Sequence, residues 1–133
     1  MALISTDKKK LDIDYIFDVL SRTYWAHSRT IDEIKESINN SLCFGMYIDG
    51  KQMGFARIVT DKVVFSYLMD VFIDEKFQGH KFGSELINTI YQHKDLVNVK
   101  NHYLHTKDAQ EFYKKHGFEI YGFPFKFMIK TLQ

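Results

Sequence analysis

One cysteine, Cys43, stands in the 133-residue chain, so no disulfide can close within it, and the composition predicts a reducing, cytoplasmic setting. One proline, Pro124, lies close to the C-terminus, and no Pro/Gly/Ser-rich linker or internal repeat divides the sequence. No apolar run approaches the roughly 18 residues of a membrane span, and the N-terminus lacks the apolar stretch of a signal peptide. Neither sign of charge predominates, with 18 Lys and Arg against 17 Asp and Glu. A formal net charge of +1 creates no general field for nucleic acid or an anionic membrane, so neither is expected as a partner and any anion site must be local. Lys8, Lys9 and Lys10 form the only dense basic run, read as a solvated terminal segment.

Hydrophobic residues make up 45% and charged residues 26%, the balance of a soluble globular chain. Its length suits one domain covering residues 1–133, able to bury roughly two-thirds of the surface its unfolded form exposes. Apolar spacing over 11–20 predicts a first helix with Asp12 near its start. Thr30 and Glu33 form a capping-box pair ahead of Ile31, Ile34 and Ile38. Two strand-like runs, 42–48 and 53–59, flank Asp49-Gly50, a dipeptide suited to the positive φ angles of a hairpin turn.

After a break at 60–62, residues 63–73 predict a strand apolar on both faces, hence inside a sheet covered on both sides. Phe65, Tyr67, Met69, Val71 and Ile73 share one face of it; Val64, Ser66, Leu68, Asp70 and Phe72 share the other. A helix from Phe82, a strand over 99–105, a short helix ending at Gly117 and two closing strands at 118–121 and 127–129 complete a mixed α/β arrangement on one sheet.

The chemistry concentrates where the long strand turns into a helix. A helix starting near Phe82 presents unpaired N–H groups to the turn, where an anion can accept them. Gly79 and Gly83 allow close backbone approach, while Gln78, His80, Lys81 and Ser84 can donate or neutralise charge. The turn therefore suits a diphosphate, although an ordinary glycine-containing connection has the same composition. It lacks the GK[ST] ending of a P-loop and the GxGxxG spacing of a dinucleotide site.

The turn, taken with Tyr113-Lys-Lys-His-Gly117-Phe118, resembles the GCN5-related N-acetyltransferase (GNAT) family. That family carries a [Gln/Arg]-x-x-Gly-x-[Gly/Ala] turn after its central strand and a helix ending in Tyr-x-x-x-Gly-Phe some thirty residues later. Gln78 and Gly83 match the ends of the turn, and the second element matches throughout. Lys81 stands where the family has glycine, and Thr106 where many relatives have an asparagine that bonds pantetheine.

The resemblance implies one mostly antiparallel mixed sheet with helices on both faces and a central strand that splays from its neighbour after Val71. It implies acetyl-CoA as acyl donor, with the backbone of Phe72 and Ile73 meeting the pantetheine. Gln78, Gly79, His80, Lys81, Phe82, Gly83 and Ser84 would hold the pyrophosphate, Phe112 would line the thiol end, and Asp108 would add a contact. It further implies N-acetylation of a primary amine on a small molecule or peptide, with Tyr113 protonating the departing thiolate. The departures at Lys81 and Thr106 keep open a catalytically silent acyl-CoA sensor.

Asp70, the only charge within its strand, is a candidate base for the acceptor amine or a buried structural partner. Tyr24, Trp25, His27 and Arg29, between the first two helices, and Arg57 and Tyr67, from the strands, are the acceptor-contact candidates. His102 and His105, three apart on a strand, point to opposite faces, and no spacing supports a metal. The C-terminal strand admits a homodimer.

Overall fold

The computed structural model describes residues 1–122 and 127–132. Strands β1 (Leu3–Ser5), β2 (Leu42–Ile48), β3 (Lys51–Thr60), β4 (Phe65–Ile73) and β5 (Asn101–Leu104) form one sheet in that order. The first four are mutually antiparallel and β5 runs parallel to β4. Helices α1 (Ile13–Ser21), α2 (Ile31–Asn39), α3 (Phe82–Gln92) and α4 (Gln110–Lys114) flank it. Strand β1 has no counterpart in the sequence reading, because three residues are too few to show a period.

Local chemistry sets each boundary. Asp12 caps α1 by accepting from the Tyr15 N–H, and Thr30 and Glu33 form the reciprocal capping box of α2. Asp49 and Gly50 take φ of 51° and 77°, the hairpin geometry their sequence suggests. β4 begins at Phe65 rather than Val63, since Asp61 Oδ1 accepts from the N–H groups of Val63, Val64 and Phe65 and holds them in a turn.

Two apolar layers sandwich the sheet. Leu86, Ile87 and Ile90 of α3 pack on Phe44, Met46, Ile58 and Leu68, while Ile16, Leu20, Ile34 and Ile38 of α1 and α2 pack on Cys43, Phe55 and Phe72. Each fully buried side chain of this kind stabilises by about 1.5 to 3 kcal/mol.

The faces of β4 differ from strict alternation. Ser66 and Leu68 face α3, but Asp70 and Phe72 face α1 and α2, because the register against β3 slips between Phe55 and Arg57 and Asp70 takes φ 57°. One inserted residue exchanges every later side chain between faces. The expected closing strands are also absent: no strand forms at 118–121 or 127–129. An apolar run becomes a strand only where an edge accepts its hydrogen bonds, and among the described residues the outer edge of β5 pairs with none.

Candidate active site

β4 pairs with β5 only as far as Leu68 opposite Leu104, so one edge of β4 opens from Met69 onward. The strands separate after Leu68, three residues earlier than the expected separation after Val71. The Asp74 N–H donates to Met53 O on β3, so by alternation the backbone groups of Ile73 and Val71 turn toward the opening. Phe72 is a correction: its backbone faces β3, and its ring packs near Tyr15 and Phe55 at 5.7 and 6.0 Å.

Beyond β4 the chain makes one 3-10 turn (Glu75–Phe77) and enters α3. Among the described residues, the backbone N–H groups of Gly79, His80, Lys81, Phe82, Gly83 and Ser84 have no acceptor. Six consecutive unpaired donors at the positive end of an eleven-residue helix are a preorganised oxyanion cradle. Lys81 is the N-cap, with no side-chain cap and φ 66°. It takes the left-handed conformation that glycine takes freely, at the cost a Cβ brings there. Gly79 has φ 85° and open space around it, leaving room for a ligand.

The side chains of the turn are less committed to an anion than its backbone. Gln78 Nε2 donates to Ile73 O at 3.0 Å, turning back toward the strand. Ser84 Oγ lies 3.1 Å from His116 Nε2, whose Nδ1 meets Asn88 Oδ1 at 3.2 Å. With an oxygen acceptor at Nδ1, Nε2 is left to accept the Ser84 hydroxyl. His80 packs toward the Phe82 ring and Lys81 is exposed.

α4 is set against this turn through Phe112, whose ring would lie 3.4 Å from a Cβ at Gly83. The helix ends in a Schellman motif: Gly117, at φ 91°, donates to Lys114 O, and Phe118 N–H reaches back to Tyr113 O. The Phe118 ring then packs on Tyr113 at 5.9 Å. Tyr-x-x-x-Gly-Phe is thus a helix cap that fixes the tyrosine in the last turn of α4. Burial pushes the Tyr113 phenol up to about 12, so it stays protonated across the physiological range.

On the other face of β4 the bulge delivers Asp70 into a cationic cluster. Asp70, 5% exposed, accepts from Trp25 Nε1 at 3.2 Å, from Arg29 Nη1 at 2.8 Å to each oxygen, and from Arg57 Nε at 2.9 Å. These four hydrogen bonds occupy the acceptor positions of a carboxylate. Asp70 is therefore an anchor here rather than an open proton acceptor. Arg57 is equally committed, to Ser41 Oγ and Met69 Sδ. Tyr24 stacks edge-on to Trp25 at 5.1 Å with Lys107 Nζ 5.1 Å above its ring. His27 is exposed and turned to Tyr24 O, and Tyr67 packs beside Phe65.

The sequence model of the Acetyltransferase (GNAT) domain matches residues 39–120, a span that runs from the end of α2 through the Schellman cap. The chain belongs to the GNAT family. A crystal structure of a protein assigned to that family from Xanthomonas campestris pv. campestris superposes with a TM-score of 0.94 at 34% identity, covering 99% of this chain and 94% of that one. A candidate acetyltransferase of Gibberella zeae is 33% identical over 108 residues, or 66% of this chain and 61% of its own length. A GNAT-family acetyltransferase from Streptococcus pneumoniae shares the fold at TM-score 0.75 and 18% identity, over 100% of this chain and 98% of that one.

Within the GNAT frame, the residues present fit a coenzyme along the open edge of β4 and the cradle. Thr106 Oγ1 accepts from the Ala109 N–H, so the hydroxyl in the asparagine position shapes the entry to α4. Asp108 is exposed and bonds to nothing among the described residues. Sequence reasoning did not reach Val71, Lys107 or Ser41. Their roles come from the splay, a loop crossing and a buried guanidinium, none of which leaves a local sequence pattern. Among the described residues no three His, Cys, Asp or Glu side chains gather to hold a metal, and no helix is long and apolar enough to cross a membrane.

Proposed function

We propose that the chain is an acetyl-CoA-dependent N-acetyltransferase that transfers the acetyl group to a primary amine by direct attack on the thioester. The observation that carries this reading is the run of six unpaired N–H groups at Gly79–Ser84, held beside Phe112 and Tyr113 by the contact at Gly83. The cradle accepts the pyrophosphate, and the open backbone of Val71, with the Ile73 N–H, bonds the pantetheine amides. The amine nitrogen bonds to the acyl carbon as the C–S bond breaks and sulfur leaves with the electron pair. The Tyr113 hydroxyl supplies the proton that sulfur takes, and the proton shed by the newly acylated nitrogen restores the phenol. With Asp70 committed to its arginines, the ammonium proton leaves to solvent water. A cytoplasmic setting fits the single cysteine, and the outer edge of β5, unpaired among the described residues, admits pairing between two copies.

Calorimetric titration with acetyl-CoA and thiol release over a panel of amines test the proposal together. Tyr113→Phe is expected to lower turnover roughly 10- to 1,000-fold, the range for lost acid catalysis, while coenzyme affinity holds within about threefold. Unchanged turnover removes Tyr113 from the step. Absence of coenzyme binding overturns the proposal, and binding by both proteins without turnover of any amine identifies an acyl-CoA sensor.

A further inference from the structure

Arg29 and Arg57 share the Asp70 carboxylate but spend their donors differently. Arg57 is 7% exposed and uses Nε, Nη1 and Nη2 on protein partners. The Arg29 side chain is 24% exposed and donates through Nη1 alone; among the described residues its Nε and Nη2 meet no acceptor. Nε and Nη2 form the side-on edge of a guanidinium, the pair of parallel N–H bonds that matches two oxygens of a carboxylate or phosphate. Asp70 therefore holds Arg29 by one corner and leaves its bidentate edge unoccupied.

The charge balance points the same way. Two guanidinium groups on one carboxylate leave a net positive charge, and Lys107 adds another beside the Tyr24–Trp25 pair. Asp70 sits next to Met69, where β4 loses its partner strand, so the cluster borders the opening on the α1–α2 side. We infer that Arg29, presented by Asp70, is an oxyanion subsite for the acceptor, and that the acceptor is a primary amine also carrying a carboxylate or phosphate group. This rests on the transferase reading and names its acceptor class. The excess positive charge has a second effect: it favours loss of a proton from the acceptor ammonium, raising the fraction of neutral nucleophile where no side-chain base is free.

Trp25 is the only tryptophan, and its indole N–H donates to Asp70, so its fluorescence and indole resonance report on the cluster whether or not catalysis occurs. Butanoate, methylphosphonate and neutral butan-1-ol would be titrated into the protein, alone and saturated with coenzyme. At least one anion is expected to give a saturable shift that butan-1-ol does not, and the anion that does so identifies the oxyanion. Arg29→Gln is expected to weaken that anion about 10- to 100-fold, as for loss of a charged bidentate contact. Arg29→Lys, which keeps the charge beside Asp70, tests the same edge if the glutamine variant does not fold. In thiol release, 4-aminobutanoate or 2-aminoethyl phosphate should exceed butylamine at least about tenfold in kcat/KM.

A shift with neither anion, equal shifts with butan-1-ol, or unchanged anion affinity in both variants overturns the subsite. Failure of acetyl-CoA binding overturns the transferase reading instead and leaves the Trp25 titration to decide the subsite separately.

Discussion

Lys81 carries the cost and the use of the cradle in one residue. Its left-handed backbone, at φ 66°, disfavours any side chain with a Cβ by about 1 to 2 kcal/mol, yet its ammonium is the one full positive charge on the turn. The two effects separate on substitution. Lys81→Gly is expected to stabilise the free protein by about 1 kcal/mol, a rise of roughly 3 to 5 °C in Tm by thermal denaturation. It should at the same time weaken acetyl-CoA about three- to tenfold by calorimetry, the effect of one exposed charge-assisted contact. A variant that gains stability and keeps full affinity would show that the backbone alone holds the pyrophosphate. The sequence marks Lys81 as a departure from glycine, but only the structure shows that the lysine takes the left-handed conformation glycine favours.

Elements whose signals are local were legible in advance, namely the capping box at Thr30, the Asp49-Gly50 hairpin and the Gly117 stop. Each depends on a few neighbouring residues, so the sequence contains the whole cause. β4 is the opposite case. Its bulge at Asp70 depends on the register against β3, a long-range property, and alternation alone placed Asp70 on the wrong face. The same strand pairs Ser66 with His102 of β5, Oγ to Nδ1 at 2.6 Å, and burial holds the His102 imidazole below its usual value. Because the folded His102 gives up its proton more readily than the unfolded one, the unfolded state binds more protons below the ordinary histidine range. Stability therefore falls as pH drops through about 6.5. Urea denaturation at pH 7.5 and 5.0 should show a smaller loss for His102→Gln than for wild type, since glutamine does not titrate. An equal loss in both would place the acid-sensitive group elsewhere.

At the scale of the molecule, two apolar surfaces lack partners among the described residues. The outer edge of β5 pairs with no described strand, and Val63, Val64, Phe65 and Tyr103 around it are 38 to 60% exposed. The C-terminal residues Phe127, Met128 and Ile129 are 73 to 91% exposed and form no strand. An open edge and an exposed apolar segment of high strand propensity associate readily, and pairing between two copies satisfies both while closing the assembly by symmetry. Light scattering coupled to size exclusion is expected to give the mass of a dimer for wild type. Ile129→Asp, which places a charge in the segment, and Tyr103→Lys, which places one on the edge, should each shift the mass to that of a monomer. Coenzyme affinity should change little in either, because neither residue belongs to the Gly79–Ser84 turn or to the open edge of β4. A wild type that stays monomeric, or a dimer indifferent to both charges, would mean that this edge is closed within one chain.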